Sequence, residues 1–437
     1  MNNRNLRSNS ARNFIAILVI VGTLFTILFG SGHVSALTGN DIPIYSQNIT
    51  SNENSEGYYE FSNFYQLDGN HIVWMNTWQE KKIENPQHID TIFLKSLSSN
   101  LTAEIAHCPG NNHRYIFGPY LSLSGPFIVW NEMGKNDIFL FNISKQEEYA
   151  ITRDGSDPTT QRPNSYPAVD KDRLVWSKKN PDSTSLDYDI VMQNLTTGAL
   201  QMICTEAGDQ IDPDISGQKI VWTDKRTGRG DGDIYLFDLE TNQEMPVCTS
   251  RGLQQFPKVF DNRIVWVEYR DGSPAIYLYN LSSGTEMRIS ESLFDAVLPK
   301  ISDRYIVWKE YSVLDHRDDQ ASRIIVYDLA DGHKEYLPLK TEFPSLWDLD
   351  KNRILYTDPD NKSPEEGYVH IFVIDTPEVT PSPVLPSAAS AQENLTHAID
   401  QPQQTISTQS APVNAVLPLA AGCIAILLWP RAGHRKN

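Results

Sequence analysis

The chain has 437 residues and a formal net charge of −18. Setting aside three basic residues at each end (Arg4, Arg7 and Arg12; Arg431, Arg435 and Lys436) leaves −24 for the body. So acidic a body repels phosphates, which excludes a nucleic-acid partner, and suits a solvated extracellular surface.

Residues 1–36 read as a secretory signal. A basic, Asn-rich opening precedes FIAILVIVGTLFTILF, and VSA ends at Ala36 with small residues placed for cleavage. An uncleaved N-terminal membrane anchor is the alternative. Next comes IPIYSQNIT, residues 42–50, a short apolar run standing alone.

From there the sequence repeats. HIVW, FIVW, RLVW, KIVW, RIVW and YIVW end at Trp74, Trp130, Trp176, Trp222, Trp266 and Trp308, and RILY ends at Tyr356. The intervals are 56, 46, 46, 44, 42 and 48 residues. A period near 46 over seven copies is a repeat architecture, to be read before any single motif. Each copy has a Pro-containing opening such as DPDISG, a β-branched run ending in Trp, and a variable polar loop. A second run such as DIYLFDL follows, then a turn such as TTG or SSG, and a short last run such as EMRIS. That makes four strands per copy.

The main strands are apolar on both faces. In DIYLFDL, Ile234 and Leu236 face one way and Tyr235 and Phe237 the other. Such strands must be covered on both sides. Four-stranded sheets stacked around an axis do this, which predicts an all-β, seven-bladed β-propeller over 37–376. A sandwich would show one polar face, and a solenoid a shorter, more regular period. The last copy stops at HIFVID without its final short strand. Residues 42–50 resemble the closing runs of other copies, so they are expected to supply that strand and close the ring.

The stretch PDISGQKIVW…DIYLFDLETNQE resembles the TolB-type propeller repeat, found in many archaeal cell-surface proteins. The resemblance covers about residues 41–376 and implies fold, not function. Bacterial TolB also carries a separate N-terminal domain, for which this chain has no room, so the Tol-system role is not carried over.

Residues 377–411 are rich in Pro, Ser, Thr and Gln and read as an extended stalk. AVLPLAAGCIAILLW lies within 412–430, the expected membrane anchor, and RAGHRKN (431–437) suits a cytoplasmic stop. Stalk, short span and basic end resemble archaeal sorting tails, but without their Pro-Gly-Phe tripeptide. Sequons stand at Asn48, Asn100, Asn142, Asn194, Asn280, Asn361 and Asn394, seven candidate N-glycosylation sites in an exported chain.

The repeat aromatics share one register and are expected to be core. Exposed contacts are expected instead from Trp78, in the loop after Trp74, and from Tyr269 and Tyr311 just past their repeat Trp. Asp224 and Arg226 join them, in the loop DKRTGRGDGD. That loop contains Arg229-Gly230-Asp231, present in one copy only and read as chance. Its Asp224, Asp231 and Asp233, and Asp315, Asp318 and Asp319 in DHRDDQ, could suit Ca2+, but no ligand spacing of the D-x-D-x-D-G kind supports it. Cys108, Cys204 and Cys248 close the last strands of their copies and are expected as buried thiols, with a Cys204–Cys248 bridge as the alternative.

No G-x-S-x-G elbow, sialidase-type box or H-E-x-x-H helix occurs. The sequence therefore favours a non-enzymatic, membrane-anchored cell-surface propeller. It would engage an extracellular protein or glycan through the loops 75–90, 177–188, 223–232 and 309–321. An extracellular polysaccharide hydrolase or lyase with acids meeting at the axis is the first alternative. A self-associating envelope component is the second.

Overall fold

The computed structural model describes residues 37–47, 58–80, 88–109, 121–132, 137–153, 165–180, 187–228, 231–312, 322–339, 344–359 and 367–375. The expected signal, stalk, anchor and tail lie outside them. Among the described residues no helix is long and apolar enough to cross a membrane.

Seven four-stranded antiparallel sheets form the seven expected blades. Blade 4 runs from its innermost strand Gln210–Ser216 through Lys219–Asp224 and Asp233–Asp238 to its outermost, Gln243–Cys248. The innermost strands of blades 1 to 7 are Tyr58–Asp68, Leu121–Ser124, Ser165–Asp170, Gln210–Ser216, Gln254–Phe260, Phe294–Ile301 and Ser345–Asp350. Each lies beside the next, and the seventh lies beside the first, so together they ring the axis.

Burial on both faces makes this arrangement. Ile234 and Leu236 pack with Val259, Ile264 and Trp266 of blade 5. Phe237, Tyr235 and Trp222 pack the other way, with Val175, Ile190 and Met192 of blade 3. The repeat residues Trp74, Trp130, Trp176, Trp222, Trp266, Trp308 and Tyr356 are all buried. Several stack on the aromatic opposite them on the third strand, as Trp222 does on Tyr235 at 6.2 Å.

Polar stitches repeat between innermost strands. Ser122 Oγ accepts the Val169 N–H at 3.2 Å, Asp214 accepts that of Val259 at 2.9 Å, and Asp348 accepts that of Leu67 at 2.8 Å. The third joins blade 7 to blade 1 with the bond used elsewhere in the ring. Blade 7 itself has strand order with the N-terminal strand Gly39–Gln47 outside Gly367–Ile374. The closure expected from the sequence is therefore present. The strand begins three residues before the expected position 42, because pairing continues to Ile374.

Five innermost strands share a bulge. Phe64, Tyr166, Asp212, Phe256 and Leu298 all adopt φ between 54° and 57° and fall at the breaks in strand register. In four of them the next residue is proline: Pro167, Pro213, Pro257 and Pro299. Proline has no N–H to give a ladder, and a strand with a neighbour on one side only is where a sheet tolerates it.

Candidate functional site

Two of the expected contact residues are tied into their own blade. Asp224 is fully buried. Its carboxylate accepts the Trp222 Nε1–H at 2.8 Å and, from Arg226, the backbone N–H and Nε–H at 2.9 Å each. Arg226 lies 4.0 Å above the Tyr235 ring and pairs with Glu244 of the outermost strand at 2.7 Å. Blade 5 repeats the device: Trp266 Nε1 donates to Glu268, Arg270 pairs with Glu268 and Glu286, and its guanidinium covers Tyr277. In blade 6, Trp308 donates to Glu310, and Arg323 of the next strand supplies the cation. These acid–arginine pairs are clamps across a blade, not free loop groups.

The remaining candidates lie nearby. Tyr269 is half-buried, its hydroxyl accepting from Gln255 Nε2 at 3.3 Å. Tyr311 is half-buried with Lys309 Nζ 4.9 Å above its ring. Trp78 is in the strand His71–Glu80, paired with Glu60 and Ile89, rather than in a loop. Long strands in blade 1 take up what reads as loop in the sequence. Arg229, Gly230, Asp315, Asp318 and Asp319 lie outside the described residues. Among those described, no group of three or more His, Cys, Asp or Glu is placed to hold a metal ion. Gly232, next to the Arg-Gly-Asp tripeptide, has a structural role: a Cβ there would lie 2.5 Å from Gln254 O of blade 5. Cys204 and Cys248 are free and buried, which settles the open bridge between them. Burial pushes their thiols up to about 12 and about 11.

The charged groups that do converge sit at the axis. Blades 4, 5, 6 and 7 bring Asp214, Lys258, Lys300 and Asp348 to one register of their innermost strands, and Asp212 lies two residues away. Blades 1 to 3 place neutral Gln66, Ser122 and Ala168 at this level. One side of the ring is thus charged in the order minus, plus, plus, minus. Burial and the neighbouring charges together set each group's proton affinity. Lys258 Nζ lies 2.9 Å from Asp214, and although burial opposes its charge, the carboxylate raises its proton affinity. Lys300 Nζ lies 3.7 Å from Asp348, and there burial wins: the lysine is lowered and the aspartate raised.

Asp212 is the group left over. Its Oδ1 is buried without a partner among the described residues, and burial pushes the carboxyl up to about 7 against the pull of Lys258 and Lys225. In the unfolded chain it ionises at about 4. Between those values the folded chain holds the extra proton, so stability falls as pH rises across this window and is level above it. Asp212→Asn is therefore expected to raise the melting temperature near pH 8 and to leave it unchanged near pH 4. Melting curves at the two pH values check this; an equal gain at both would remove ionisation as its cause.

Beside Asp212, at the same register of the next two blades, Phe256 and Leu298 are 42% and 48% exposed. The bulge removes them from the ladder and turns them from the packed blade faces. Their strand ends adjoin the loops that follow the repeat Trp, as the pairing Gln254↔Glu268 shows. One end of the axis thus carries exposed apolar groups beside a partnerless acid, with charged pairs one step in.

No protein-family model matches the sequence, and neither does any curated protein. Solved structures do. A TolB protein from Agrobacterium tumefaciens is 15% identical over 57% of this chain and 88% of that one, with a TM-score of 0.41. TolB from Acinetobacter baumannii is 12% identical over 73% and 80%, with a TM-score of 0.38. A puromycin-hydrolyzing peptidase from Mycobacterium tuberculosis is 14% identical over 68% of this chain, with a TM-score of 0.51; the chain spans 50% of that protein. Identities this low speak for the fold alone.

Proposed function

We propose that this TolB-like propeller is an exported, membrane-tethered binding protein that holds an extracellular protein or glycan over the axial opening beside the loops after the repeat Trp. The observation that carries the reading is the exposure of Phe256 and Leu298 on strands that ring the axis, next to Asp212. Ligand sites combine apolar walls with a few convergent polar groups of perturbed proton affinity. The Asp224 and Arg226 side chains are bound within their blade, which moves the binding surface from the loop bases toward the axis. Purified full-length protein, tested on a glycan array and against envelope extract, is expected to lose about tenfold or more of its binding when Phe256 and Leu298 are both changed to Ser. Undiminished binding would take the axis out of the function, and self-association in place of partner binding would favour a structural envelope role.

One observation favours a second reading, an axial polysaccharide hydrolase or lyase. Asp212, pushed up to about 7, holds a proton in the range where a general acid works. Polysaccharide cleavage that disappears in Asp212→Asn would establish it.

A further inference from the structure

The turns joining third and outermost strands follow one five-residue rule. Position one is Asn142, Asn194, Asp238, Asn280 or Asp328, whose side-chain oxygen accepts the N–H two residues on, at 2.9–3.0 Å. Position two is Ile143, Leu195, Leu239, Leu281 or Leu329, each packed against the core. Position five is left-handed: Gln146, Gly198, Asn242, Gly284 or Gly332. Asp serves as well as Asn at position one, because only an acceptor oxygen is needed. Three sequons therefore coincide with a turn rule: their Asn caps the turn and their middle residue is core.

Asn100 occupies the other end of the same turn. In blade 1 the turn runs from Ser96, with Leu97 packed inward, to Asn100 at φ 57°. The sequon then runs on through Leu101, 72% exposed, to Thr102, also exposed, where the outermost strand Thr102–Pro109 begins. The Asn100 amide makes no hydrogen bond among the described residues. By contrast, Asn142 is 8% exposed, and Asn194 Nδ2 donates to Asp172 at 2.9 Å.

We infer that Asn100 is the N-glycan acceptor among the described sequons, and that Asn142, Asn194 and Asn280 carry no glycan in the folded protein. In the transfer, Asn100 Nδ2 bonds to the anomeric carbon of a lipid-phosphate-linked oligosaccharide. The bond from that carbon to the phosphate oxygen breaks, and the amide proton leaves with the lipid phosphate. The inference rests on export of the chain, not on the binding reading. Antiparallel order puts this turn at the end of the blade opposite the loops after the repeat Trp, so a glycan there leaves the axial opening beside those loops uncovered.

The test is expression of the full chain through the secretory route of a glycosylating eukaryotic host. Glycan release in 18O water then marks each occupied Asn for peptide mass spectrometry. Label at Asn100 and none at Asn142, Asn194 and Asn280 in folded protein is the expected result. An unmarked Asn100, or a mark on any of the other three, overturns the inference. Asn142→Asp is expected to keep the melting temperature while Asn142→Ala lowers it, and Asn100→Gln to abolish the Asn100 mark without altering melting. Equal losses in Asn142→Asp and Asn142→Ala would overturn the turn assignment.

Discussion

Deletion of residues 37–47 is expected to abolish cooperative melting of the propeller. The strand Gly39–Gln47 is the fourth strand of blade 7, paired along Gly367–Ile374. Leu37 packs with the cluster of Tyr305, Val307 and Phe372, which joins blades 6 and 7. Asp41 accepts the Tyr356 hydroxyl proton at 3.0 Å and lies 3.2 Å from His370 Nδ1. Asp375 donates its N–H to Thr38 O. Without the strand, Gly367–Ile374 becomes an open sheet edge, and the blade that connects blade 6 to blade 1 loses its outer wall. Because each blade is covered only by its neighbours, loosening one uncovers two more. The loss should be comparable with the whole stability of an ordinary domain, about 5–15 kcal/mol. Heat unfolding followed by circular dichroism reads it directly. A synthetic peptide of residues 37–50 should restore part of the transition by adding the strand back. Gly39→Val gives a point version, since a Cβ there would lie 2.4 Å from the Phe372 ring and from Val373 O. Unchanged melting of the deletion would mean that the ring is held elsewhere.

The fold was legible because burial on both faces of a strand leaves a pattern that local sequence carries. Ile234 and Tyr235 are adjacent, both apolar, and pack against different blades. The closing strand was legible for a related reason: 42–50 is an unpaired copy of a part that the seventh repeat lacks. The axial groups were not. Asp214, Lys258, Lys300 and Asp348 come from four blades, and each stands in a short opening segment such as DPDIS or FPKVF whose sequence does not show which way its side chains face. Their neighbourhood exists only once the ring closes. The prolines gave a partial sign. A residue before proline is steered toward extended backbone, whereas Tyr166, Asp212, Phe256 and Leu298 are left-handed because the bulge requires it. The pairing of Asp224 with Arg226, in what reads as a binding loop, had a visible sign. WTDKR and WVEYR share an acid two residues after Trp and an arginine four after it, and that spacing is the clamp.

The clamp yields the second large effect: Asp224→Ala should destabilise the propeller by about 3–5 kcal/mol, the usual result of breaking a buried ion pair on one side. The change leaves the Trp222 indole N–H without its acceptor in the core and removes the closer of the two carboxylates from Arg226, at 2.6 Å. Glu244 and the Tyr235 ring would still hold the guanidinium, so the arginine should not be expelled. Asp224→Asn keeps an oxygen for the indole and should lose less. Chemical denaturation of both variants and of Arg226→Ala, alone and combined with Asp224→Ala, measures the coupling. Blade 3 sets the lower bound on what the ring endures. There Lys178 stands where Asp224 stands in blade 4, lysine offers no acceptor, and Trp176 Nε1 is buried without a partner among the described residues. A loss under about 1 kcal/mol for Asp224→Ala would mean that the clamp adds little beyond packing. It would also return Asp224 and Arg226 to the set of residues whose chemistry needs a partner outside the blade.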